Sequence, residues 1–237
     1  PVVDTRGRTV SDLRFSLTDR CNMRCRYCMP REGLTGLNSS LQLTDDEVIR
    51  LVTIAVRRLG ITNIRFTGGE PLLRRGLEDI IAATVALGPV TTAITTNGLG
   101  LEHRAQALAE AGLTRINVSL DTIDPFIYAD ITGRDRLEEV LRGLETAAAH
   151  GLRPVKVNAV LLPGINVAGA PDLLSYCLER GYRLRFIEQM PLDAQHGWSR
   201  TGMITAEQIT ALLQEHFSLS TVPTPRCWPN ANWPIRW

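Results

Sequence analysis

Leu13-Arg14-Phe15-Ser16-Leu17-Thr18 runs straight into Asp19-Arg20-Cys21-Asn22-Met23-Arg24-Cys25-Arg26-Tyr27-Cys28. The first part alternates apolar and polar side chains with the period of two that a half-buried strand requires. The second is a polar, arginine-rich loop carrying three thiols as Cys21-x3-Cys25-x2-Cys28. Soft thiolates packed this closely select an iron–sulfur cluster or zinc, rather than a hard cation. Structural zinc wants four ligands. The other two cysteines, Cys177 and Cys227, are distant, and the four histidines show no ligand spacing. Three thiolates hold three irons of a four-iron cluster and leave the fourth open for chemistry. A zinc-binding module is the last of the alternatives.

The strand pattern repeats along the chain. Runs at Ile64–Phe66, Val90–Thr96, Ile116–Leu120, Val155–Leu162 and Leu184–Ile187 alternate with amphipathic segments, most of them closed by glycine. Thr44-Asp45-Asp46-Glu47 is a capping box opening a helix that Gly60 stops. Further helices are expected at Leu77–Leu87, Leu101–Ala111, Leu137–His150, Asp172–Arg180 and Thr205–His216. Six βα units predict an α/β fold with an all-parallel sheet and right-handed crossovers, a partial (βα)6 TIM-like barrel over residues 1–217. Residues 218–237 read as a separate, aberrant tail.

These strands are unusual for a parallel sheet, whose members normally read as unbroken apolar runs. Arg14, Ser16 and Thr18 share one parity, and so do Asn63, Arg65 and Thr67. Thr95 with Asn97, Asn117 with Ser119 and Asp121, Lys156 with Asn158, and Arg183 with Arg185 continue it. One face is oily and suits the helices; the other is polar and faces the concave side of a partial barrel. Cations buried there without counter-charge are costly. They either pair with Asp121, Glu70 and Glu188 or await an anionic ligand, and the repetition over several strands favours the ligand.

The expected carboxyl ends of the strands gather the motifs, which is where parallel α/β folds bind ligands. The cysteine loop follows the first strand and Thr67-Gly68-Gly69-Glu70-Pro71 the second. Thr95-Thr96-Asn97-Gly98 ends the third, Ser119-Leu120-Asp121 the fourth, and Met190 follows the sixth. Tyr128, Trp198 and the leucines of the last helix read as packing, and Cys177 as a small core residue. Arg57-Arg58 and Arg74-Arg75 read as solvated faces or helix ends.

The bulk numbers constrain partners. The 237 residues are 44% hydrophobic and 22% charged, with net charge +1. That balance argues against a nucleic-acid or membrane surface as the main partner. No apolar run is long enough to span a bilayer, the amino terminus lacks signal-peptide character, and an odd number of cysteines with a close triplet suits a reducing cytoplasm.

The cysteine spacing, the aromatic before the last thiol and the Gly-Gly-Glu-Pro turn together resemble the radical S-adenosylmethionine superfamily. Leu13–Asn22, Arg65–Pro71, Thr95–Gly98, Asn117–Asp121, Val155–Asn158 and Arg185–Glu188 resemble, in order, the GTP 3′,8-cyclases of molybdenum-cofactor biosynthesis. The resemblance implies that Cys21, Cys25 and Cys28 hold a [4Fe-4S] cluster whose open iron S-adenosylmethionine chelates. It implies that Tyr27, Gly69, Ser119 and Met190 line the S-adenosylmethionine site, with Gly68 and Glu70 shaping it. Arg14, Arg65, Thr95 and Lys156 would contact GTP. The implied reaction cleaves S-adenosylmethionine reductively, takes hydrogen from C3′ of GTP and joins that carbon to C8, giving (8S)-3′,8-cyclo-7,8-dihydroguanosine 5′-triphosphate. An electron donor is an implied partner, and a homodimer is compatible with it.

The pattern breaks at the end. The family carries a second cluster on a Cys-x2-Cys pair and a third cysteine, whereas residues 226–237 offer only Cys227 among three tryptophans. The tail resembles a frameshifted or truncated end. The expectation is one cluster site, with GTP cyclised poorly or not at all; a non-catalytic remnant and a peptide-modifying radical maturase are the alternatives.

Overall fold

The computed structural model describes residues 2–30, 41–191, 198–221 and 235–236. A two-stranded antiparallel hairpin comes first, β1 (Val2–Val3) on β2 (Thr9–Val10). The main sheet then grows in chain order: β3 (Asp12–Ser16), β4 (Asn63–Thr67), β5 (Thr91–Thr96), β6 (Arg115–Ser119), β7 (Val155–Val160) and β8 (Arg183–Ile187). Every neighbouring pair is parallel, and each strand sits beside its predecessor.

Helices return the chain between strands. α1 (Asp45–Ile54) starts on the expected capping box, with the Thr44 hydroxyl accepting from Glu47 N–H and Glu47 accepting from Thr44 N–H. It widens into a π turn, Ala55–Leu59, which Gly60 ends at φ 78°. The others are α2 (Leu77–Val85), α3 (Leu101–Glu110), α4 (Pro125–Thr132), α5 (Leu137–Ala149), α6 (Ala170–Glu179) and α7 (Ala206–Gln214). Their apolar stripes cover one face of the sheet. Ile64, Phe66, Ile94, Ile116, Val118 and Val157 meet Leu77, Ile80, Leu101, Leu108, Val140 and Leu144 in one core. Each such side chain contributes about 1.5–3 kcal/mol on burial. A smaller cluster of Leu161, Ala170, Leu174, Ile209 and Leu213 fastens α7 to α6.

The opposite face is the expected polar one. Cross-strand register aligns Arg14 with Arg65, Ala93 with Arg115, and Thr95 with Asn117, Lys156 and Arg183. The sheet curls around this face. Arg65 on β4 and Arg185 on β8 are four strands apart, about 19 Å in a flat sheet. Yet after burial, the charges of Arg14 and Arg185 both help lower the Arg65 pKa, so the cations of this face share one field.

The expected strand and helix positions match within a few residues, and three features lie outside them. The β1–β2 hairpin is too short to leave a period. α4 enters the sequence reading only through Tyr128, a packing residue. Arg74, read as a solvated face or helix end, is a correction: its side chain is only 12% exposed, pairs with Asp45 and donates to the carbonyls of Leu17 and Leu43. In the tail, β9 (Ser220–Thr221) pairs antiparallel with β10 (Ile235–Arg236); Cys227 lies outside the described residues.

Candidate active site

The cysteine loop leaves β3 and is clamped by α4. Asp124 caps that helix, accepting from Phe126 and Ile127 N–H, with Pro125 at its first position. The far end of α4 then grips the loop. Arg24 N–H donates to Thr132 O and Arg26 N–H to Ile131 O. The Tyr128 hydroxyl donates to Met23 Sδ at 3.9 Å, and Arg134 donates to Asn22 O at 2.9 Å. Arg24 turns its own guanidinium onto the carbonyls of Cys21 and Met23. Sequence reasoning missed this clamp; the Asp124-Pro125 start signal could have revealed it.

The Gly68-Gly69 pair serves the same loop. Gly69 N–H donates to Thr18 O at 2.6 Å and Glu70 N–H to Arg20 O at 2.7 Å. A Cβ on Gly68 would overlap the Thr18 carbonyl, and one on Gly69 the Arg20 carbonyl. So the close approach that glycine permits here is to the chain's own backbone, the segment that delivers Cys21. Glu70 is wholly buried and faces no open space. Its carboxylate accepts from Leu72 N–H, the Thr96 hydroxyl and Asn97 N–H, and burial raises its pKa.

Across the mouth, Tyr27 donates to Asp121 Oδ2 at 2.8 Å, joining the cysteine loop to the end of β6. Asp121 Oδ1 accepts from Val160 N–H. Burial holds the Asp121 carboxyl up at about 6 and pushes the Tyr27 hydroxyl well above its usual range. Ser119 is half-buried just before this bond, and Met190 lies exposed after β8. Tyr27, Gly68, Gly69, Glu70, Ser119 and Met190 thus all lie at or beyond the carboxyl ends of the strands or in the cysteine loop.

The lumen below is a different environment. Lys156 and Arg65 are half-buried, and the pKa of each is lowered, first by burial and then by neighbouring cations. Together these effects define a group of six: Arg14, Arg65, Arg115, Lys156, Arg183 and Arg185. Among the described residues none of them forms an ion pair. Asp121 and Glu70 are engaged as described, and Glu188 accepts from Ala206 N–H. The pairing alternative therefore fails. Nε of Arg65 and of Arg115 are buried without a partner among the described residues, and so is Asn158 Oδ1. Arg14, Arg65 and Arg115 line a cavity of about 960 Å³ at the amino ends of the strands, roofed by Asp4, Arg8 and Thr9 of the hairpin segment. Arg115 was not foreseen as a site residue, although its parity with Asn117 marked it. Thr95 stands in register with Asn117 and Lys156.

The thiols fit a cluster better than one ion. Cys25 is raised by burial, then by Asp121, Cys21 and Cys28, so the three sulfurs share one neighbourhood. Yet among the described residues no three His, Cys, Asp or Glu side chains converge tightly enough for a single metal ion. Zinc–sulfur bonds of ~2.3 Å would bring the sulfurs to about 3.8 Å of one another. A polynuclear sulfide core holds its cysteines farther apart.

Comparison with known proteins agrees. The Radical SAM superfamily model matches residues 15–177. A GTP 3′,8-cyclase of Mycolicibacterium smegmatis is 57% identical over 227 residues, covering 95% of this chain and 63% of that protein. A GTP 3′,8-cyclase of Streptomyces coelicolor is 57% identical over 220 residues, covering 92% and 64%. The chain thus spans somewhat under two thirds of the curated relatives it matches. Among solved structures, Streptococcus suis SuiB bound to precursor peptide SuiA superposes with TM-score 0.69 at 17% identity, over 86% of this chain and 45% of that one. The anSMEcpe protein with bound AdoMet gives 0.61 at 19%, over 75% and 50%. These two share the fold. No helix among the described residues is long and apolar enough to cross a membrane.

Proposed function

The chain belongs to the radical SAM superfamily, and from that premise we propose that it carries the GTP 3′,8-cyclase reaction. The observation behind the reading is the lumen of unpaired cations beneath the cysteine loop. Such a lumen suits a ligand with several negative charges at one end, and a nucleoside triphosphate has that form. Relatives named GTP 3′,8-cyclase, 57% identical over most of the chain, support GTP as that nucleotide.

In this reading Cys21, Cys25 and Cys28 hold the cluster, and Tyr27, Gly69, Ser119 and Met190 line the place of S-adenosylmethionine, with Gly68 and Glu70 shaping it. The bound pair supplies one-electron reductive cleavage of the sulfonium, for which an external electron donor is needed. The chain's own residues bind and orient. Arg14, Arg65 and Lys156 take the phosphates from the amino side, with Thr95 beside them. The distance from Arg14 to Thr18 along the strand is about 13 Å, a span an extended nucleotide bridges. The sugar then points at the mouth. The Tyr27–Asp121 bond and the α4 clamp keep that mouth rigid, which favours a fixed approach of the two reactants. A triphosphate concentrates more negative charge at one end than a peptide does, which suits six clustered cations.

The test is an anaerobic reaction of the reconstituted chain with S-adenosylmethionine, dithionite and GTP, followed by mass spectrometry. 5′-Deoxyadenosine is expected together with a cyclised GTP product, the latter in low yield because the sequence carries only one cluster triplet. Deoxyadenosine without cyclised product would reject the cyclase reading and keep the radical half. Neither product would favour a binding remnant.

A further inference from the structure

Cys21 has a neighbour to which no role has been given. Asn97, the first residue after β5, places Nδ2 3.8 Å from Cys21 Sγ and 2.7 Å from Asn22 Oδ1. The orientation of its amide is determined. Oδ1 accepts from Leu99 N–H at 3.0 Å, which leaves the NH2 end for the cysteine side. Its backbone is determined as well, because Asn97 N–H donates to Glu70 Oε2 at 2.7 Å. Glu70 is itself fixed by the Thr96 hydroxyl at 2.7 Å and Leu72 N–H at 2.9 Å. Gly98 follows at φ 81°, and a Cβ there would press on Val118 and Val140, so the turn has no room to shift. A buried carboxylate, a turn and an amide thus form one relay ending on a ligand sulfur.

Donors aimed at cluster sulfurs stabilise the reduced, more negative state, and groups that hold ligands tune the metal as well as orient it. We propose that Asn97 is a positioning residue that donates an N–H···S hydrogen bond to Cys21 and raises the reduction potential of the cluster held there. The inference rests on the cluster assignment and is independent of GTP. It also gives Glu70 a use distinct from touching a ligand: it anchors the amide.

The test uses the full chain, reconstituted anaerobically, with iron analysis followed by an EPR-monitored redox titration in the absence of S-adenosylmethionine and GTP. Asn97→Ala removes the donor. Asn97→Asp removes it too but keeps an acceptor for Leu99 N–H. Both variants are expected to retain about four irons per chain. Both should shift the one-electron equilibrium roughly tenfold or more toward the oxidised form, about 59 mV, with Asp lower still because of its charge. Full loading with an unchanged potential in both would overturn the proposal. So would a loaded Ala variant that does not shift while Asp does, since that assigns the effect to charge. If the Ala variant fails to load, the Asp variant decides, with a lowered potential supporting and a wild-type potential overturning. Loss of iron from the Asp variant would also overturn the proposal, because the amide would then be holding Cys21 in place. With neither substrate in the cuvette, failure of the cyclase reading leaves this result untouched.

Discussion

The two ends of the barrel treat polar groups in opposite ways. At the carboxyl end, the groups around the cysteine loop are spoken for: Glu70 has three donors, Asp121 has two, and α4 pins the backbone at Arg24 and Arg26. In the lumen, six cations form no ion pair among the described residues, and two guanidinium nitrogens are buried unpaired there. A satisfied network is rigid and needs nothing more; an unsatisfied one stores a cost that a ligand can relieve. The mouth is built to keep its geometry before anything binds. The lumen is built to bind.

That contrast breaks most visibly at Cys25. Cys25→Ala should lower iron from about four per chain to nearly none and abolish the brown absorbance, while nucleotide binding by calorimetry persists. Loss of both would mean that the two ends are one cooperative unit. Lys156→Ala is the reciprocal change. Losing one charge-assisted contact of about 1.5–3 kcal/mol should weaken GTP binding roughly 10- to 150-fold, with iron content unchanged. If the affinity stays put, the lumen is not the phosphate site.

The next effect concerns pH and belongs to the mouth. Burial raises the Asp121 carboxyl from 3.8 to about 6, so between these values the folded chain keeps a proton that the unfolded chain has released. Its contribution is therefore largest below about pH 4, falls as pH rises towards about 6 and stays low above it. The loss should be of the order of 1–3 kcal/mol. Urea midpoints of the metal-free chain should show this component, and Asp121→Asn should remove it. The smallest effect sharpens the comparison most. Arg115→Met should raise the melting temperature of the ligand-free chain by about 2–4 °C, the equivalent of ~1 kcal/mol, while weakening GTP binding. A site that is costly when empty gains stability when it is disarmed. A fall in melting temperature would mean that Arg115 supports the fold.

The sequence made the lumen readable because strand parity is local: Arg14, Arg65, Lys156 and Arg185 announce their face two residues at a time. The cysteine triplet was readable for the same reason. What escaped depends on distance. Arg74 looks like one of a surface pair until the fold brings Leu17 O and Leu43 O to it. Gly68 and Gly69 announce a close approach without saying that Thr18 and Arg20 are what approaches. Pro125–Thr132 is short, and nothing local ties it to a loop a hundred residues earlier. Partners set by tertiary contact leave no period to read.

The strand order has a further consequence. Among the described residues, β3 and β8 are the outer strands of the main sheet, with no neighbour beyond them. Bare edges invite a second chain to add on and start an aggregate. Here both carry arginine, Arg14 on one and Arg183 and Arg185 on the other, all exposed. Two molecules meeting edge to edge would bring like charges together. The open barrel is protected from its own copies by the charges that line it.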